Sequence, residues 1–340
     1  MKLLILSLFA LFLTVNGCLR IRWPEKCSPT DFSVFLLAYS NDLNFTEVRK
    51  LYQPFGEGIS RQDVENRTAA TVRFDTKTKE DIVFHEGETL SASYRASRDY
   101  IYEREVDPSQ SFDSSETGSD VMDMLERFIN SHHPNICGSF VLVLMKRSPN
   151  EVDISKLVRK IREYRILLGI AVQVPSSGGL HPETMYNLAA QTNGQCAFSQ
   201  ELGKAYFTLP HLWYPNAYYS LNLKVSGTGT MDLPPITFKE NVTVHLEIAV
   251  QSSATAESFQ SFTISWVNTQ SGTTGSSTRT REQFNNGTFT SLNSFKILDF
   301  IDSEAATYEL KLDYNYSSED TILIRMNSKQ PIDHWLPFQD

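Results

Sequence analysis

The chain is poor in the features that announce an enzyme or a nucleic-acid binder. Its 340 residues hold only 4 cysteines and 4 tryptophans, and positive charge is scarce: 31 Lys and Arg stand against 40 Asp and Glu, a formal net charge of −9. An acidic chain is not steered toward nucleic acid or an anionic membrane surface, so both drop out as partners. No Gly-x-Ser-x-Gly elbow, His-Glu-x-x-His helix or Walker loop occurs, which removes common hydrolase, zinc-protease and nucleotide-binding signatures. The histidines are scattered: His181 precedes Pro182 at a helix start, His85 lies in a polar turn and His245 falls on the polar face of an alternating run. Gly227-Thr228-Gly229-Thr230 sits in the same kind of run, not at a strand-to-helix turn. The sequence therefore predicts a binding protein with no catalytic residue, no cofactor and no metal ion.

Long apolar runs are also missing, with one exception. Lys2 is followed by an apolar stretch from Leu3 to Leu13, broken only by Ser7, and then by the small residues around Gly17. This reads as a signal peptide over residues 1–17, cleaved before Cys18. Nothing later approaches the ~20 apolar residues that span a bilayer, and Trp335-Leu336-Pro337-Phe338 is too short for a glycolipid-anchor signal. The expectation is a secreted, extracellular protein without a membrane span. In that compartment the sequons at Asn44, Asn66, Asn241, Asn286 and Asn315 become surface glycan sites. Cys18, Cys27, Cys137 and Cys196 become two disulfides with three possible pairings. None of their spacings is Cys-x-x-Cys, which argues against a metal cluster even with His132 and His133 near Cys137.

The hydrophobic period divides what remains. Behind an N-terminal segment, 18–30, the stretch 31–215 alternates buried-strand runs (Ser33 to Ala38, Phe140 to Met145, Leu168 to Val172) with helical ones. In the clearest helix Ile154, Leu157, Val158 and Ile161 share one face, and Pro182 to Gln191 forms another that stops at Asn193-Gly194. Strand–helix alternation predicts an α/β fold with a doubly wound, mostly parallel sheet. From 216 to 340 the period becomes two. Val242, Val244, Leu246, Ile248 and Val250 form one such row, Phe262, Ile264 and Trp266 a second, and Tyr308, Leu310, Leu312 and Tyr314 a third. That pattern predicts an all-β antiparallel sandwich. Each part is long enough for its own core.

The order Asp31-Phe32-Ser33-Val34-Phe35-Leu36-Leu37, two short strands, Ser115-Glu116-Thr117-Gly118 before a helix, Phe140 to Met145, Leu168 to Val172, and a helix ending before Cys196-Ala197-Phe198 resembles a von Willebrand factor type A (VWFA) domain over roughly residues 31–213. The chain is more loosely similar to secreted A-domain-like proteins expanded in nematodes, while its C-terminal half resembles no family. The resemblance implies a divalent-cation site at the C-terminal ends of the sheet strands, built from an Asp-x-Ser-x-Ser loop, a Thr and a late Asp. Here those positions fall on Ala38, Ser40 and Asp42, on Ser115 and on Arg147. Both defining acids are gone and a cation replaces one of them. A degenerate, metal-independent binding face made of Ser40, Asp42, Ser115 and Arg147 is the expectation, with Arg147 free to meet an acidic group of a partner. The same fold implies Cys27–Cys137 and Cys18–Cys196, because Cys27 and Cys137 would each precede one of two neighbouring strands.

Function follows as an expectation of the same grade: an extracellular protein-binding module, with a host-defence or matrix role implied by resemblance alone. The alternative is carbohydrate or surface adhesion with residual divalent-metal binding at the same face. The partner is an extracellular protein or glycan. The basic helix face Lys156, Arg159, Lys160, Arg162 and Arg165 offers a polyanion reading, but Glu163 interrupts it and such faces are usually only solvated.

Overall fold

The computed structural model describes residues 27–28, 33–59, 68–131, 133, 136–209, 214, 216–253, 257–285, 291–297, 303–330 and 332–339. The expected signal peptide, Cys18, Asp31, Phe32 and the sequons Asn66 and Asn286 lie outside the described residues.

Uninterrupted apolar runs become strands covered on both faces. β1 (Val34–Ser40), β2 (Thr68–Phe74), β4 (Phe140–Met145), β5 (Leu167–Gln173) and β6 (Gln195–Ser199) run parallel, and the short β3 (Val83–His85) pairs antiparallel at the β2 edge, giving the order β3-β2-β1-β4-β5-β6. Alternate residues serve opposite cores. Val34, Leu36 and Ala38 pack with α3 (Val121–Ile129), α4 (Ser155–Glu163) and α5 (Glu183–Gln191), whereas Phe35, Leu37 and Tyr39 pack with α1 (Phe45–Ile59), α2 (Leu90–Glu103) and α6 (Leu202–Ala205). The sheet is thus mixed, helices lie on both sides, and its strand order reverses between β1 and β4. Ligands of open α/β sheets gather outside the strand C-termini at such a reversal.

The second part is antiparallel throughout: β7 (Asn216–Thr237), β8 (Val244–Ala249), β9 (Phe259–Asn268), β10 (Thr274–Thr280), the short helix α7 (Arg281–Asn285), β11 (Ser294–Ile297) and β12 (Thr307–Ser328). Two separate sheets were expected, but one continuous sheet is present. β7 and β12 are each 22 residues long and pair along their length. On its other side β12 pairs first with β9 (Tyr308 to Tyr316) and then with β8 (Leu323 to Ser328), with the register broken between Tyr316 and Asp320. At that break the sheet folds over itself, so that Phe262 of β9 and Phe295 of β11 meet edge-on with ring centroids 5.6 Å apart. Asp320 holds the bend, accepting from the backbone N–H of Ser252 (3.0 Å) and Thr321 (2.8 Å) and from the Ser258 hydroxyl. The result is nearly barrel-like.

The alternation in β8 does not mark a solvated face. His245 and Glu247 are buried along with Val244, Leu246 and Ile248, because the outer side of β8 and β12 rests on the α/β part: Ala249 and Leu323 belong to the core of α3, α4 and α5. His245 is therefore not a surface residue; its ring lies 3.6 Å from the Tyr214 ring, centroid to centroid. Arg325, 1 % exposed, ties the parts together, donating to the carbonyls of Gly194 (2.9 Å) and Leu221 (2.9 Å) and to the Asn222 amide oxygen (2.8 Å). Asn293 does the same at the open edge of the parallel sheet. It accepts from Phe198 N–H (2.9 Å) and donates to the Cys196 carbonyl (3.1 Å), which shields the unpaired side of β6.

Cys27 and Cys137 form a disulfide with a Cα–Cα distance of 5.3 Å. Cys196 is corrected: it is a free thiol, fully buried on β6 among the apolar side chains under α5. Its side chain faces this core, and that burial pushes the thiol well above its ordinary range. Asn44, Asn241 and Asn315 are exposed. No described helix is long and apolar enough to cross a membrane.

Candidate functional site

The strand C-termini carry a buried cluster of oxygen atoms around one guanidinium. β1 delivers Ser40 as its last residue and Asp42 in the turn behind it, and β4 delivers Arg147 two residues beyond its end. Arg147 is 3 % exposed. Its Nε lies 2.8 Å from Asp42 Oδ2, and its NH1 donates to the carbonyls of Ser114 (2.8 Å) and Thr117 (2.6 Å). The Ser177 hydroxyl donates to the same Asp42 oxygen at 2.5 Å, and the Ser40 hydroxyl accepts from Asp42 N–H at 3.2 Å. Phe112 closes one side, its ring centroid 5.4 Å from the guanidinium carbon. Over the top runs Ser176-Ser177-Gly178-Gly179, where a Cβ on Gly178 would come within 2.5 Å of Arg147 NH1. Only glycine allows so close an approach.

Three of the four expected face residues therefore meet, with roles that differ from the expectation. Arg147 is spent inside the protein, so it is not available to a partner's acidic group. Ser115 is exposed and contributes only its carbonyl, which accepts from Gly179 N–H at 2.9 Å. The Ala38 methyl lies in the core beneath, in register with Val72 and Val143.

Beside this cluster lies a second one that the sequence did not signal. Asp75 follows β2 with φ 61°, a left-handed conformation that Asp tolerates better than most residues. Its carboxylate accepts from the Ser40 hydroxyl (2.5 Å) and from Asp120 N–H (3.1 Å), while its own N–H donates to the Asp120 carboxylate (2.7 Å). Burial, reinforced by the Asp120 charge and resisted by the hydroxyls of Ser40 and Ser119, pushes the Asp75 carboxyl up to about 7. Among the described residues no group of three His, Cys, Asp or Glu side chains has the arrangement of a metal site.

The rim of the face is apolar at two points. Val152, 64 % exposed, and Leu180, 67 % exposed, stand on the loops that follow β4 and β5. The loops are tied to each other by His181 N–H to the Pro149 carbonyl (3.0 Å), and the first turn of α5 holds the loop after β4 through the Thr184 hydroxyl and the Glu151 carbonyl (2.9 Å). Sequence reasoning missed both, since an isolated Val or Leu in a loop carries no period. The basic helix face resolves into separate contacts: Lys156 pairs with Glu126 at 3.0 Å, and Arg162 and Arg165 turn to the C-terminal segment.

Residues 221–329 match the model of a domain of unknown function (DUF7154). No curated protein sequence matches the chain. Among solved structures the chain is similar to proximal thread matrix protein 1 from the mussel byssus, at 10 % identity and a TM-score of 0.37, covering 60 % of this chain and 51 % of that one. The chain thus spans about half the length of the mussel protein. A second structure of that protein, with its MIDAS motif occupied by zinc, is similar at 9 % identity and a TM-score of 0.35, covering 58 % of this chain and 51 % of that one. A carbohydrate-binding module from Cellvibrio mixtus lichenase 5A, solved with cellotriose, is similar at 8 % identity and a TM-score of 0.20, covering 35 % of this chain and 93 % of that one.

Proposed function

We propose that this chain is a secreted glycoprotein acting as an extracellular, metal-independent protein-binding module, in which 31–215 is a VWFA-like unit whose cation site has been filled by an arginine. The supporting observation is the Arg147 guanidinium, held by the Asp42 carboxylate and by the carbonyls of Ser114 and Thr117. A hard divalent ion wants that kind of oxygen set. A covalently attached cation keeps the loops of this face in one arrangement without any ion. Val152 and Leu180 are exposed apolar side chains beside this face and offer a partner apolar contact area. The exposed sequons Asn44, Asn241 and Asn315 fit passage through the secretory route.

The test is a melting experiment on protein secreted from a glycosylating host. An ion at one hundred times its Kd would add ~2.7 kcal/mol and raise the melting temperature by several degrees. Wild type is expected to show no response to millimolar Mg²⁺, Mn²⁺ or Ca²⁺. Arg147→Asp, which removes the cation and leaves two carboxylates among the same oxygens, is expected to gain a saturable, EDTA-reversible one. A chelator-reversible shift in the wild-type protein would overturn the metal-independent reading. Binding to extracellular proteins should persist in EDTA and be lost in Val152→Asp/Leu180→Asp; retention by that double variant removes the face from the proposal.

A further inference from the structure

At the opposite end of the parallel sheet, where β4, β5 and β6 begin, the chain's own C-terminal segment lies in a groove. Residues 332–339 form neither helix nor strand, yet each position from 335 to 339 has its own contact. The Trp335 indole N–H donates to the Cys27 carbonyl at 2.9 Å, and its ring passes over Gly138, where a Cβ would come within 3.1 Å of it. The Leu336 carbonyl accepts from Arg165 (3.0 Å), the Pro337 carbonyl from Asn193 (3.3 Å) and the Gln339 carbonyl from Arg162 (2.6 Å). Phe338 lies against both arginines, its ring centroid 5.1 Å from the Arg162 guanidinium carbon and 4.9 Å from that of Arg165. The Gln339 side chain accepts from Asn222 N–H of β7 at 2.6 Å.

These contacts read a peptide rather than a piece of core. Side-chain donors fixed on the scaffold address three backbone carbonyls, those of Leu336, Pro337 and Gln339, and two aromatic side chains lie against scaffold residues. Extended segments are recognised in this manner in peptide-binding grooves, where main-chain bonds give affinity and side-chain places give specificity. The partners come from five elements: an acceptor in the disulfide-tied segment at Cys27, and donors in α4, the α4–β5 turn, the α5–β6 turn and β7. The segment is also not packed flat. Between it and β7 remains a cleft of about 580 Å³, lined among others by Tyr218, Tyr219, Phe238, Leu336 and Pro337.

We propose that this groove is a peptide-binding site, closed in the isolated chain by residues 334–339, and that its ligand in trans is an extended protein segment carrying an aromatic-Leu-Pro-aromatic pattern. Intramolecular occupancy sets the threshold for such a partner: it must compete with a tethered ligand whose effective concentration reaches the millimolar range. The site lies at the other end of the strands from Arg147, so it stands apart from the binding face proposed above.

A labelled synthetic peptide with the sequence of residues 334–340 tests this on the full-length chain. Trp335→Ala/Phe338→Ala, which loosens the tethered segment, is expected to bind the peptide at least tenfold more tightly than wild type. Adding Arg162→Gln and Arg165→Gln to that variant is expected to remove the gain, while circular dichroism verifies that both variants keep the native spectrum. Natively folded Trp335→Ala/Phe338→Ala that binds no more peptide than wild type overturns the proposal. So does binding that is indifferent to the two arginines.

Discussion

At the residue scale the decisive exchange is one cation for another. Arg147→Ala would strand the Asp42 carboxylate inside the protein with Ser177 still donating to it, and leave the carbonyls of Ser114 and Thr117 without their donor. Breaking one side of a buried ion pair costs about 3–5 kcal/mol. Denaturant unfolding should show a loss of that size for Arg147→Ala and a smaller one for Arg147→Lys, whose single ammonium group cannot serve all three oxygens at once. A loss under 1 kcal/mol would mean that the guanidinium is not holding the loops together. This pairing was half legible in the sequence. The choice of Ser40, Asp42 and Arg147 comes from the resemblance given above, but their mutual satisfaction does not, since 105 residues separate the two charges. Sequence shows the charge of Arg147 and not its burial, so the expectation that it meets a partner gives way to its internal contacts. Cys196 failed for the same reason. An even cysteine count suggested a bridge, whereas the alternation along β6 turns that thiol into the core.

At the scale of elements, the segments that sequence located are those with an apolar period, and the longest helix it missed lacks one. α2 buries Ser91, Ser93 and Ser97 beside Leu90, Tyr94 and Ile101. Its inner face is therefore half hydroxyl, spent on Ala69 N–H (Ser93, 2.9 Å) and on the Tyr52 hydroxyl (Ser97, 2.5 Å). No hydropathy pattern marks such a helix, though Thr89, which caps it by accepting from Ala92 N–H, was a signal available in the sequence. In the second part the period marks β8, β9 and the first half of β12, where Ser317-Ser318-Glu319-Asp320 interrupts the alternation as a loop would. That interruption is the bend of one long strand. Asp320→Ala removes the acceptor shared by Ser252, Thr321 and Ser258. Leaving buried donors unpaired costs about 1–3 kcal/mol each, so a destabilisation of at least 2 kcal/mol is expected by thermal melting. Asp320→Asn, which keeps one oxygen, should lose less. Equal stability of Asp320→Ala and wild type would show that the bend is set elsewhere.

For the whole molecule, the junction of the parts is polar where a sequence reading expects either water or oil, and this gives the protein a pH dependence. Glu247 is fully buried on the face of β8 turned to the α/β part, and neither carboxylate oxygen has a hydrogen-bond partner among the described residues. Opposite it in register stand Lys296 of β11 and Arg325 of β12. Burial drives the Glu247 carboxyl upward, with the Lys296 charge resisting, and drives Lys296 downward, with Glu247 resisting. On the same strand burial, helped by Lys296 and Lys329, lowers His245 to about 4. Asp75, at the far edge of the parallel sheet, is raised to about 7. A carboxyl raised on folding stabilises fully below its unfolded value and loses that contribution as pH rises through the folded one. Asp75 and Glu247 therefore both favour the native state at acid pH and both weaken it toward pH 8. The lowered histidine works the other way: its contribution is present above 6.5 and lost as pH falls toward 4. Between those values His245 opposes the two acids, with smaller opposition from the lowered His85 and His133. Above 6.5 the lowered Lys296 opposes them; the shifts of the two acids are the larger. The melting temperature should accordingly rise as pH is lowered from 8 to about 5. Glu247→Gln and Asp75→Asn, each keeping the shape and removing the titration, should each flatten part of that rise, and the double variant most of it. A wild-type melting temperature that is unchanged or higher at pH 8 than at pH 5.5 would mean that both carboxyls are ionised in the folded protein, with Lys296 and Arg325 then holding Glu247 as a buried ion cluster.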